Sequence, residues 1–95
     1  MYKNTCLLYN GVNEVYQKLH IFCSDKGFKV KESKEKFYFL RAKKSSFFFW
    51  RTLRLEVEIL TVEKEKVQVT VMLYKNGKRQ AGLENEYIIA IENFF

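Results

Sequence analysis

A chain of 95 residues, 47% hydrophobic and 29% charged, makes one globular domain spanning residues 1–95, with room for a single core and none for a deep multilayered active site. That composition excludes a disordered chain, and two cysteines exclude a disulfide scaffold. The net charge of +6 favours anionic partners such as nucleic acid or an acidic lipid surface.

The first residues, Met1-Tyr2-Lys3-Asn4-Thr5, lack the apolar core of a signal peptide. The uncharged stretches fall short of the ~20 residues of a membrane span. The expectation is a soluble cytoplasmic protein with no transmembrane segment.

Thr5 to Tyr9 reads as a first strand, ended by Asn10-Gly11. Asn10 or Asn13 then serves as a helix cap, accepting a bond from a free backbone amide. Val12, Val15, Leu19 and Phe22 recur at spacings of three and four and share one face of a helix over about 11–26, widened by Tyr16 and Cys23. Glu14 suits the positive start of that helix and Lys26 its negative end. Gly27 supplies the left-handed residue that stops it.

The period then changes to two. Phe28 and Val30 alternate with Lys29 and Lys31, Ser33 to Lys36 forms a charged turn, and Phe37 to Ala42 runs back. Lys43 to Ser46 turns the chain into its longest strand, Ser45 to Val62. That strand opens with Phe47-Phe48-Phe49-Trp50 and alternates strictly from Leu53 to Ile59, apolar at odd positions and charged at even ones. One dry face and one wet face follow. Glu63 to Lys66 is the next turn, Val67 to Leu73 alternate again, and Asn76-Gly77 ends the strand. From Gly82 the spacing is helical: Leu83, Tyr87, Ile91 and Phe94 form the expected buried stripe over about 82–95, thickened by Ile88 and Phe95, with Glu84, Glu86 and Glu92 facing water.

The order is β-α-β-β-β-β-α. Short connections make the later strands an antiparallel meander, and two amphipathic helices need a shared surface. The fold class is therefore α+β, a two-layer sandwich of a mainly antiparallel sheet with both helices on one face.

No catalytic constellation emerges. His20 is the single histidine and lies mid-helix, where it reads as a surface or core-edge residue. Glu56 and Glu58 share a strand face, but with Arg54 beside them they read as a solvated polar face. Cys6 and Cys23 sit in no metal-ligand spacing and read as small buried thiols in a reducing compartment. No glycine-rich phosphate cradle precedes a helix. No enzyme activity, cofactor or metal is expected.

The basic residues are less evenly spread. In a meander, Arg41, Lys43, Lys44, Arg51, Lys75, Lys78 and Arg79 gather toward one end of the sheet, and Phe48 and Trp50 lie on the even-numbered face nearby. Cations beside exposed rings suit single-stranded nucleic acid, where charge tracks phosphates and rings stack bases. They are also the ingredients of a contact with an anionic membrane surface or of a protein contact built on Trp and Arg. The plainer alternative is that Phe48 and Trp50 are covered by the chain's own loops or by a helix edge.

Gly27-Phe28-Lys29-Val30 after the first helix, Lys44-Ser45-Ser46-Phe47-Phe48-Phe49-Trp50 before the long strand, and Ala81-Gly82-Leu83-Glu84-Asn85 at the last helix resemble a family of small uncharacterised bacterial α+β domains. The resemblance covers most of the chain. Two positions depart from the family pattern: Arg51 replaces a glycine after Trp50, and the helix-opening asparagine is displaced to Asn85. The resemblance implies the fold and no catalytic residue, and a setting beside membrane segments for some members. The reading from sequence is a non-enzymatic interaction module that binds a protein partner or forms a homo-oligomer. Nucleic-acid binding through the basic end is the alternative.

Overall fold

A computed structural model describes residues 2–34, 38–45 and 52–95. The elements are β1 (Thr5–Leu8), α1 (Val12–Asp25), β2 (Lys29–Lys34), β3 (Phe39–Ser45), β4 (Thr52–Glu63), β5 (Lys66–Lys75), β6 (Lys78–Arg79) and α2 (Ala81–Phe94). All strand pairs are antiparallel, in the order β1-β5-β4-β3-β2, with β6 also on β5. The fold is α+β.

Period-two patterning carries the sheet. Leu55, Val57 and Ile59 of β4 stand opposite Leu73, Val71 and Val69 of β5, and Leu40 and Ala42 of β3 stand opposite Val57 and Leu55. All of these are buried, with Cys6 and Leu8 of β1, on one face of the sheet. Val15, Tyr16, Leu19, Phe22 and Cys23 of α1 and Ile88 and Ile91 of α2 close that core. The helices also meet each other, with the Phe22 ring edge-on to Tyr87 and Phe94. Both therefore cover the same face, and among the described residues no helix lies on the opposite face of the sheet.

Helix α1 stops at Gly27 as its spacing predicts. Gly27 has a φ of 85°, its N–H bonds to Ser24 O, and the Phe28 N–H reaches back to Cys23 O at 2.9 Å. This is a Schellman ending with the apolar residue Phe28 tucked into the core. The start differs from expectation. Gly11 is the N-cap and no side chain caps the helix, while the Asn13 amide oxygen instead accepts a hydrogen bond from the Tyr38 hydroxyl.

Two further differences lie at the end of the chain. Asn76-Gly77 does more than end a strand: both residues have positive φ, 52° and 82°, and the chain folds back into β6. Asn-Gly with two positive φ values is the type I′ hairpin turn. The inward face of α2 keeps Ile88 and Ile91, with Leu83, Tyr87 and Phe95 partly buried against the core, but its centre is rotated from the expected stripe toward Glu84 and away from Phe94. Glu84, Ile88 and Ile91 are its buried residues, whereas Phe94 is 39% exposed. The expected water-facing Glu84 is the one buried charged residue among those described, while Glu86 and Glu92 are exposed.

The reason lies at the sheet edge. Strand β4 occupies one side of β5, so β1 and β6 share the other, with a gap between them. Val71 N–H fills part of the gap by bonding to Asn4 O, and Leu73 O accepts from Gln80 N–H. The Leu73 N–H remains, and the Glu84 carboxylate accepts it at 2.9 Å. A buried amide without an acceptor costs about 1–3 kcal/mol, so a carboxylate is drawn to an apolar helix position.

Candidate interaction face

The uncovered face is built from the even-numbered positions of β4 and β5 and their neighbours. Antiparallel register aligns these side chains into rows across the strands. One row, near the β3–β4 connection, runs Lys29, Lys43, Arg54, Tyr74, Arg79 through β2, β3, β4, β5 and β6. Four strand spacings of about 4.8 Å make it about 19 Å long. The next row holds Arg41, Glu56 and Met72, and the next Phe39, Glu58, Thr70 and Thr5. The last holds Leu60, Gln68 and Leu7.

The two ends of this face differ. At the far end Leu60 is 62% exposed and Leu7 46%, and Val62 lies beside them in the β4 bulge. A shallow depression of about 540 Å³ opens there between Phe39, Arg41, Glu58, Leu60, Gln68 and Thr70. At the near end the Arg54 guanidinium lies over the Tyr74 ring at 4.4 Å, and Arg79 approaches the same ring at 5.9 Å. Arg41 lies over Phe39 at 5.6 Å.

Glu56 is not a free solvated carboxylate, as expected from sequence. It is largely covered, with Arg41 Nη2 at 3.4 Å from one oxygen and Arg54 Nε at 3.8 Å from the other. Glu58 remains exposed. The two carboxylates thus occupy different environments: Glu56 is an anchor for arginines, and Glu58 is a surface group.

The sequence-derived patch divides by strand parity. Arg41, Lys43 and Arg79 stand on the uncovered face. Lys44 and Lys75 stand opposite Leu53, on the helix side. Lys44 Nζ donates to the Lys26 carbonyl at the end of α1, 3.1 Å away, so it serves the helix terminus. Lys78 pairs with Lys75 across the hairpin. Arg79 is engaged at the sheet edge by Glu84. Phe48, Trp50 and Arg51 lie outside the described residues. Sequence reasoning missed Lys29, Arg54, Tyr74, Leu7 and Leu60. The parity of Arg54 was readable, whereas Lys29 and Leu7 needed the register of neighbouring strands.

Other chemistry is sparse. Cys6 and Cys23 are free and buried; burial pushes each thiol up to about 11, with Glu92 adding to the effect at Cys6 and Lys3 opposing it. His20 packs edge-on against Tyr16 at 4.9 Å. Among the described residues no group of three His, Cys, Asp or Glu is arranged to hold a metal, and no helix is long and apolar enough to cross a membrane.

No protein-family model matches the chain, and no curated protein matches it at a significant level.

Proposed function

We propose that the chain is a non-enzymatic interaction module that receives a protein partner on the uncovered face of its sheet. One observation carries this reading. Both helices pack on one side, leaving a face with exposed Leu7 and Leu60 at one end and stacked Arg54 and Tyr74 at the other. Tyr and Arg are the residues most enriched among binding anchors, and exposed apolar groups beside them supply area to bury. The buried thiols suit a reducing compartment, which supports a cytoplasmic setting. The partner is either another protein or a second copy.

Sedimentation velocity over a concentration series, followed by affinity capture, tests this. Leu60→Lys and Tyr74→Ala should abolish whatever association the chain shows, whether with itself or with a captured protein. Ile21→Lys, on the exposed side of α1, should leave it intact. Loss of association with Ile21→Lys alone would move the interface to the helical layer and overturn the reading.

A further inference from the structure

We infer that the partner presents an extended or helical segment with carboxylates at one end and apolar side chains at the other, laid along the strands of the uncovered face. This rests on the proposed use of that face and names the chemistry of what binds there.

The first support is a charge pattern that the described residues balance only in part. Lys29, Lys43 and Arg54 stand side by side on three neighbouring strands. Like charges directly opposite one another destabilise a sheet. Among the described residues Lys29 and Lys43 form no ion pair, and Arg54 shares Glu56 with Arg41. An incoming set of carboxylates supplies the missing opposite charge.

The second support is position. Arg54 and Leu60 lie on the same face of β4, six residues apart, which is about 20 Å at about 3.4 Å per residue. The far row sets two exposed apolar side chains, Leu60 and Leu7, on either side of Gln68. About six extended residues, or about 14 helical ones, bridge the two ends. A polyanion of uniform chemistry matches one end only.

The third support separates a protein from a nucleic acid. Binding of single strands needs open rings for bases to stack on. Among the described residues of the cationic row the ring is Tyr74, and Arg54 already lies over it at 4.4 Å with Arg79 at 5.9 Å. The guanidinium is thereby fixed as a forked donor for a carboxylate, and the ring is taken.

The test uses five labelled probes in fluorescence anisotropy at low salt. They are a peptide with a leucine block followed by a glutamate block, its scrambled isomer, an all-glutamate peptide, an oligothymidylate of equal charge, and phosphatidylglycerol vesicles. The block peptide should bind at least about tenfold more tightly than any other probe, the scale of one good anchor. Lys43→Gln and Arg54→Gln should each weaken it and reduce its salt sensitivity, and Leu60→Ser should weaken it without changing that sensitivity. Lys43 is exposed, so Lys43→Gln leaves the fold intact even where Arg54→Gln disturbs Glu56. Equal binding of block and scrambled peptides, tighter binding of the oligonucleotide or the vesicles, or no peptide binding overturns the inference. The capture experiment above reads use of the face independently of these probes, so the two fail separately.

Discussion

Arg79 and Glu84, five residues apart across the β6–α2 junction, form a forked ion pair in which the carboxylate also accepts the Leu73 N–H. Nη2 donates to Oε1 at 2.9 Å and Nε to Oε2, the oxygen that receives Leu73. The pair joins three consecutive elements: the hairpin strand holds the arginine, the helix holds the glutamate, and the edge of β5 is satisfied between them.

Breaking this pair should destabilise the fold. Arg79→Ala is expected to cost about 1–3 kcal/mol, below the figure for a fully buried pair because the guanidinium is half exposed. Urea unfolding at neutral pH measures it. A change within about 0.5 kcal/mol, as at ordinary surface positions, would show the pair to be ornamental.

The same pair sets an acid dependence. Burial pushes the Glu84 carboxyl up, but bonds from Arg79 and the Leu73 amide, with the Arg79 charge, outweigh it and hold the group below its ordinary value. A depressed carboxyl contributes stability in full above its unfolded value, about 4.3, and loses it as pH falls through the lower folded value. Glu84→Gln should therefore be less stable at neutral pH, and its unfolding midpoint should fall less than that of the parent as pH drops below about 4. Parallel acid profiles for the two proteins would contradict this.

Helix α2 offers a second separation. Ile88 is fully buried, and Ile88→Ala should cost about 2–5 kcal/mol through lost contacts and a residual cavity. Phe94 is 39% exposed and retains edge contacts to Phe22 and Phe95, so Phe94→Ala should cost about 1 kcal/mol. Reversal of that order in thermal or urea unfolding would restore the stripe read from spacing.

That rotated stripe shows where the sequence was legible and where it was not. Leu53 to Ile59 and Val67 to Leu73 alternate over enough residues that the core-facing parity is unambiguous. Gly27 and the glycine-free turn at Lys64-Glu65 also lie where local chemistry places them. Glu84 was not legible, because its burial depends on Leu73, eleven residues away, having no strand on the side of β5 that faces away from β4. Arg54 and Lys29 were individually visible, but their union in one row depends on the register of three strands, which the alternation within any one strand does not show. Asn76-Gly77 did carry the hairpin signal, and the two-residue strand after it was too short to show a period.

The thiols give an alkaline counterpart to Glu84. Cys6 and Cys23 are raised from 9.0 to about 11 by burial. A raised acid contributes stability below its unfolded value and loses it as pH rises through the folded one. Stability should therefore fall between pH 9 and about 11, and Cys23→Ala, after correction for its packing cost, should lessen that fall. Native protein should react slowly with a thiol reagent at pH 8, and two groups should react at once in denaturant. Rapid native labelling would mean that one thiol is accessible.

Lys43 and Lys44 are adjacent in sequence and lie on opposite faces of β3, which gives the most direct test of the uncovered face. Lys43 stands opposite Arg54 and belongs to the cationic row. Lys44 stands opposite Leu53, donates to the Lys26 carbonyl and lies 5.9 Å from the Phe28 ring. Lys43→Ala should weaken binding of an acidic partner several-fold and leave the unfolding free energy within about 0.5 kcal/mol of the parent. Lys44→Ala should do the reverse: about 0.3–1 kcal/mol of stability is lost with the helix-terminal charge, and binding is unchanged. Both variants carry the same net charge, so a general electrostatic attraction to the +6 chain would affect them equally. Equal loss of binding in the two variants would remove the face from the argument. A difference between them assigns the contact to one side of the sheet, since total charge, chain position and residue type are otherwise matched.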